Sequence, residues 1–140
     1  MIGEFDHAGY LVRDVEAAVA QTQRALGLPV VRTLELPQYG ISAVFLGQGT
    51  GTLEIFTIED AELREPRLGG EERRLDHLAF RVADIDALSE SLRAEGALFS
   101  GPDRRGEVAV PLELGGARHL WTLPASTAGV ALQLIQPPSL

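Results

Sequence analysis

An aspartate-histidine pair occurs twice in this chain, as Asp6-His7 and again half the chain later as Asp76-His77. The first copy continues DHAGYLVRDVEAA and the second DHLAFRVADIDAL, so Val12, Asp14 and Ala17 return as Val82, Asp84 and Ala87. Such self-similarity constrains the chain to fold as two like modules. Residues 5–12 and 75–82 alternate as strands do, which puts His7, Gly9 and Leu11 on one face and Ala8, Tyr10 and Val12 on the other. A helix follows in each module, with Asp14 and Asp84 as N-caps and Gly27 and Gly96 where a left-handed C-terminal residue is wanted. Val15, Ala18, Val19, Thr22 and Leu26 form one helical stripe, and Ile85, Leu88 and Leu92 form the other. The period then becomes extended, at 42–46 and 52–58 in the first half and at 119–123 and 130–135 in the second. The glycine-rich stretch 47–51 reads as a hairpin turn rather than a phosphate loop, because no helix pattern follows it.

The polar stretch 59–74, with Pro66 and Gly69-Gly70, reads as the connection between the halves. The expected fold class is α+β. A single domain over 1–140 comprises module one (1–60), a linker (61–73) and module two (74–140). Each module has the order β-α-β-β-β, and together they form a curled mixed sheet around a central groove.

Composition removes several chemistries. There is no cysteine, so thiolate ligands, cysteine nucleophiles and disulfides are excluded. All 12 basic residues are arginine, which excludes lysine Schiff bases and a Walker-type loop. A formal net charge of -8 repels nucleic acid phosphates. No apolar run approaches the length of a membrane span, and MIGEFDHAGY lacks the basic start and apolar run of a signal peptide. A cytoplasmic protein with a small-molecule substrate is the expectation, with neither nucleic acid nor membrane as partner.

The last strand of the first half contains Leu53-Glu54-Ile55, and that of the second contains Leu132-Gln133-Leu134. If these polar residues share a face with the histidines, His7, Glu54, His77 and Gln133 converge as two nitrogens and two oxygens. That set suits one divalent zinc, nickel, cobalt, manganese or iron(II) ion. Each of these residues also has a plainer reading. A lone strand histidine is more often structural, Glu54 could face solvent, and Asp6 and Asp76 fit strand starts or outer-shell groups better than ligands. His119, Tyr39, Trp121 and Arg118 are candidates for a substrate pocket, although Trp121 suits a core and Arg118 a surface.

The DH starts and the LEI and LQL strands resemble the vicinal oxygen chelate superfamily, which includes glyoxalase I, methylmalonyl-CoA epimerase, extradiol dioxygenases and antibiotic-resistance proteins. The resemblance runs over essentially the whole chain and implies one divalent metal ion on His7, Glu54, His77 and Gln133. The second half is most similar to the epimerases. Its Leu123-Pro124-Ala125-Ser126-Thr127-Ala128-Gly129-Val130 resembles the run before their final ligand strand. Two departures stand out: Gln133 replaces their ligand glutamate, and Pro37-Gln38-Tyr39-Gly40 lacks their glutamate after proline. The order of Glu and Gln ligands is thus reversed, and by the same reflection the second acid or base moves to Glu113. Glu54 and Glu113 become the expected catalytic pair of a metal-dependent lyase or isomerase, dimeric through its open sheet edges. Two alternatives stay open: an iron-dependent extradiol dioxygenase using His7, His77 and Glu54, and a metal-free protein that binds a cationic antibiotic.

Overall fold

The computed structural model describes residues 2–48 and 51–139, so two members of the expected turn over 47–51 lie outside the described residues. The chain forms two compact units, His7–Asp76 and a second made of Met1–Asp6 with His77–Leu140. The described residues form an α+β fold with nine strands and three α-helices.

The first unit holds most of β1 (Ile2–Val12), then α1 (Val15–Leu26), β2 (Val30–Leu36), β3 (Ile41–Leu46), β4 (Thr52–Ile58) and α2 (Ala61–Leu68). Its strands run in the order β2-β3-β4-β1, with β1 parallel to β4 and the other pairs antiparallel. Asp14 caps α1 by accepting from the Ala17 amide at 3.0 Å, and Gly27 ends it at φ 67, as the sequence leads one to expect. Val15, Ala18 and Val19 pack with Val12, Leu46 and Ile55 on one face of the sheet. Leu26, expected in the same stripe, is 63% exposed, since it is the last helical residue. The opposite face carries Leu11, Ile41, Ala43, Phe45, Phe56 and Ile58.

The connection, read from the sequence as a linker, holds a helix. Asp60 accepts from the Glu62 amide at 2.9 Å, and Leu68 is completely buried, packing with Leu63 into the second of these two cores. Capping and apolar burial outweigh the backbone hydrogen bond that Pro66 cannot donate inside α2.

The second unit contains β5 (Arg73–Val82) from His77 onward, α3 (Ile85–Ala94), β6 (Phe99–Ser100), β7 (Leu112–Leu114), β8 (Ala117–Thr122) and β9 (Ala131–Gln136). Its strand order is β5-β9-β8-β6, with β7 also pairing with β8, and β5 lies parallel to β9. Ile85, Leu88 and Leu92 of α3 pack with Val82, Phe99, Leu120 and Leu134. Asp84 caps α3 through the Ala87 amide, and Glu95 is its C-cap, with Gly96 following at φ 101. Residues 2–6 belong here: Phe5 meets Phe80 edge-on, with ring centroids 5.6 Å apart, and Asp6 accepts from Arg81 at 2.8 Å.

Candidate metal and proton-transfer site

Each unit sets a histidine beside a polar side chain in the same way. In the first, β1 and β4 pair in register as His7 with Thr52 and Gly9 with Glu54, so the histidine and the carboxylate stand on one face two positions apart. His7 Nε2 lies 3.3 Å from Glu54 Oε1, and both residues are buried. In the second unit, β5 and β9 pair as His77 with Ala131 and Ala79 with Gln133, and both polar residues are again buried. A parallel ladder with the same two-residue offset thus presents one imidazole and one oxygen-bearing side chain in each unit.

The surroundings are apolar. His7 meets Phe45 edge-on at 5.3 Å, and Trp121, 6% exposed, pairs with Gln133 across β8 and β9. Buried imidazole, carboxylate and amide groups with apolar walls fit a borderline divalent ion, whose ligands of choice are nitrogen and oxygen. The two aspartates of the DH pairs engage arginines. Asp76 accepts from Arg67 through both carboxylate oxygens at 3.0 Å, and Asp6 from Arg81.

The remaining candidates lie on several elements. Glu113 lies on β7 between Leu112 and Leu114, exposed and paired in register with Arg118. Arg118 grips Asp86 of α3 through both carboxylate oxygens at 2.7 and 2.8 Å, which lowers the Asp86 pKa below its ordinary value. Tyr39 packs against the first unit's core. His119 stacks on Trp121 and contacts Gln133 at 3.1 Å.

Arg32 has no counterpart in the sequence reading. Across the first unit's sheet, Arg32, Phe45, Glu54 and Gly9 are paired in one row, and the Arg32 guanidinium lies 4.0 Å over the Phe45 ring. The row places a cation two strands from Glu54, about 10 Å by ordinary strand spacing. Its signal was faint because β2 is largely exposed and its register shifts between Val30 and Arg32.

The glyoxalase/bleomycin resistance protein/dioxygenase superfamily model matches residues 6–110. The ethylmalonyl-CoA/methylmalonyl-CoA epimerase of Cereibacter sphaeroides is 29% identical over 118 residues, covering 80% of this chain and 87% of its own. The human mitochondrial methylmalonyl-CoA epimerase is 28% identical over 134 residues, covering 80% of this chain and 74% of its own. Among solved structures, a variant of the Streptomyces coelicolor methylmalonyl-CoA epimerase bound to 2-nitronate-propionyl-CoA has a TM-score of 0.82 at 20% identity, with 99% of this chain and 100% of that one covered. The Mycobacterium tuberculosis methylmalonyl-CoA epimerase has a TM-score of 0.80 at 21% identity, covering 99% and 90%. With its first half and much of its second matched by the family model, the chain belongs to the glyoxalase/bleomycin resistance protein/dioxygenase superfamily.

Proposed function

We propose that this chain is a metal-dependent isomerase of the methylmalonyl-CoA epimerase and glyoxalase kind, which removes and returns a proton next to a carbonyl or thioester. The observation that carries the reading is the doubled half-site: a buried imidazole and a buried oxygen donor on adjacent parallel strands, built alike in both units. Together with the relatives, this supports one divalent ion (nickel, cobalt, zinc, manganese or iron(II)) held by His7, Glu54, His77 and Gln133. When bound, the ion supplies positive charge that favours negative charge developing on a substrate carbonyl. Glu54 takes the proton at a carboxylate oxygen, and burial beside Phe45 keeps bulk water from competing for it. The chain is proposed to work as a cytoplasmic homodimer on a small acyl-thioester substrate.

Elemental analysis of the purified protein and of His77→Ala, each supplemented in turn with the five metals, tests this reading. Near-stoichiometric metal in the parent and its loss in the variant are expected. A parent that takes up none of the five defeats the proposal.

Two side chains are assigned to the substrate rather than to the ion. Glu113 is the proposed second proton-transferring group, so Glu113→Ala is expected to slow methylmalonyl-CoA epimerisation at least tenfold while metal content holds. Full activity in that variant would sink the assignment of Glu113 as the second base. Arg32, stacked on Phe45 in the Glu54 row, suits an anionic substrate group such as a carboxylate or a phosphate. Arg32→Gln is expected to raise KM about tenfold with kcat little changed, the pattern of lost ground-state binding. An unchanged KM would remove Arg32 from the substrate site.

A further inference from the structure

We infer that His119 is a positioning residue that decides which end of the Gln133 amide faces the site; the inference rests on the reading of Gln133 as a ligand. The Leu114 carbonyl oxygen, 3.3 Å from His119 Nε2, can only accept a hydrogen bond, so Nε2 carries the proton and donates. A neutral imidazole protonated at Nε2 leaves Nδ1 as an acceptor. Gln133 Nε2 lies 3.1 Å from Nδ1 and therefore donates to it. The amide nitrogen is engaged on the histidine side, and the amide oxygen is the end turned away from the histidine.

That choice matters because the two ends of an amide are chemically unequal. The oxygen has lone pairs for a cation, whereas the NH2 group offers only hydrogens. A carboxylate has no such ambiguity, since either oxygen can serve. The two units differ accordingly. Phe45 pairs with Glu54 as Trp121 pairs with Gln133, so the first-unit position matching His119 is Ala43, two residues before Phe45. The side with the symmetric carboxylate has a methyl group there, and the side with the asymmetric amide has a hydrogen-bonding ring. The ring is itself held in place, stacked on Trp121 at 5.6 Å with 13° between planes, on a strand paired through Leu112 to β7.

The decisive experiment is a calorimetric titration of metal-stripped protein with cobalt(II) and nickel(II). His119→Phe keeps an aromatic ring for the stack but has no acceptor, and is expected to weaken metal binding 10–100-fold, the range usual for lost outer-shell partners. His119→Asn, which can place Oδ1 near the site of Nδ1, is expected to recover much of that loss. In a Gln133→Glu background, where there is no amide to orient, adding His119→Phe is expected to change affinity less than about threefold. Equal affinity of His119→Phe and the parent, or an equal loss in both backgrounds, overturns the inference. A parent that binds neither metal defeats the metal-site reading instead, and amide orientation is then read by NMR. Gln133 side-chain NH2 resonances that shift in His119→Phe support the positioning role, and unmoved resonances refute it.

Discussion

Glu54→Gln is expected to reduce proton exchange at the carbon next to the thioester by roughly 10²–10⁴-fold, the usual contribution of a positioned general base. The substitution keeps the volume of the side chain and an oxygen that can face a cation, but removes the group that accepts the proton. In the first unit it also changes the 3.3 Å contact of Glu54 with His7 from a carboxylate to an amide contact. Proton NMR of methylmalonyl-CoA in heavy water reads the exchange directly, and elemental analysis of the same sample separates lost chemistry from lost metal. The exchange variant Glu54→Gln with Gln133→Glu moves the single carboxylate to the other unit. Because His77 and Gln133 stand in the same register relation as His7 and Glu54, the pair is expected to regain metal and part of the activity. The gain is partial because a carboxylate at 133 would meet His119 at the distance now spanned by the amide. A double variant no better than Glu54→Gln would show that the two half-sites are not interchangeable.

Phe99→Ala is the substitution expected to cost the most stability without touching the candidate site. Phe99 is 1% exposed and belongs to the core that joins α3 to β8 and β9, packing with Ile85, Leu120 and Leu134, while the Arg93 guanidinium covers its ring at 5.0 Å. Truncation removes a large apolar surface and leaves a cavity that close-packed neighbours fill poorly, a loss of about 3–5 kcal/mol. That is a large share of the 5–15 kcal/mol typical of a whole domain. Urea unfolding followed by circular dichroism should show the midpoint falling at near-constant slope. A loss below about 1 kcal/mol would mean that Phe99 does not anchor this core.

The repeat made much of this legible. Because DH opens both copies and a period of two follows, the strands carrying His7 and His77 and the helices capped by Asp14 and Asp84 could be placed from residue types alone. The terminal strands with Glu54 and Gln133 were readable because a single polar residue between apolar neighbours is conspicuous. Helix α2 was hidden by Pro66, whose local effect is overridden by the burial of Leu68, a tertiary fact. The edge strand β2 and the two-residue β6 left too little periodicity to read, and with β2 went Arg32. The bond from the Gln133 amide to His119 depends on register across β8 and β9, which no local pattern in either strand encodes.

The parallel pairing of β1 with β4 and of β5 with β9 also bears on the order of folding. A parallel ladder between the first and last strands of a module can close only after everything between them has been laid down, and such distant pairings form slowly. The proposed metal donors of each module therefore meet late, and a nascent or partly unfolded chain offers isolated imidazoles with no partner oxygen in place. If the proposed site takes up an ion, that ion would bind the native state selectively and shift the equilibrium toward it by mass action, so metal supply would govern how much of this chain survives as well as how fast it turns over.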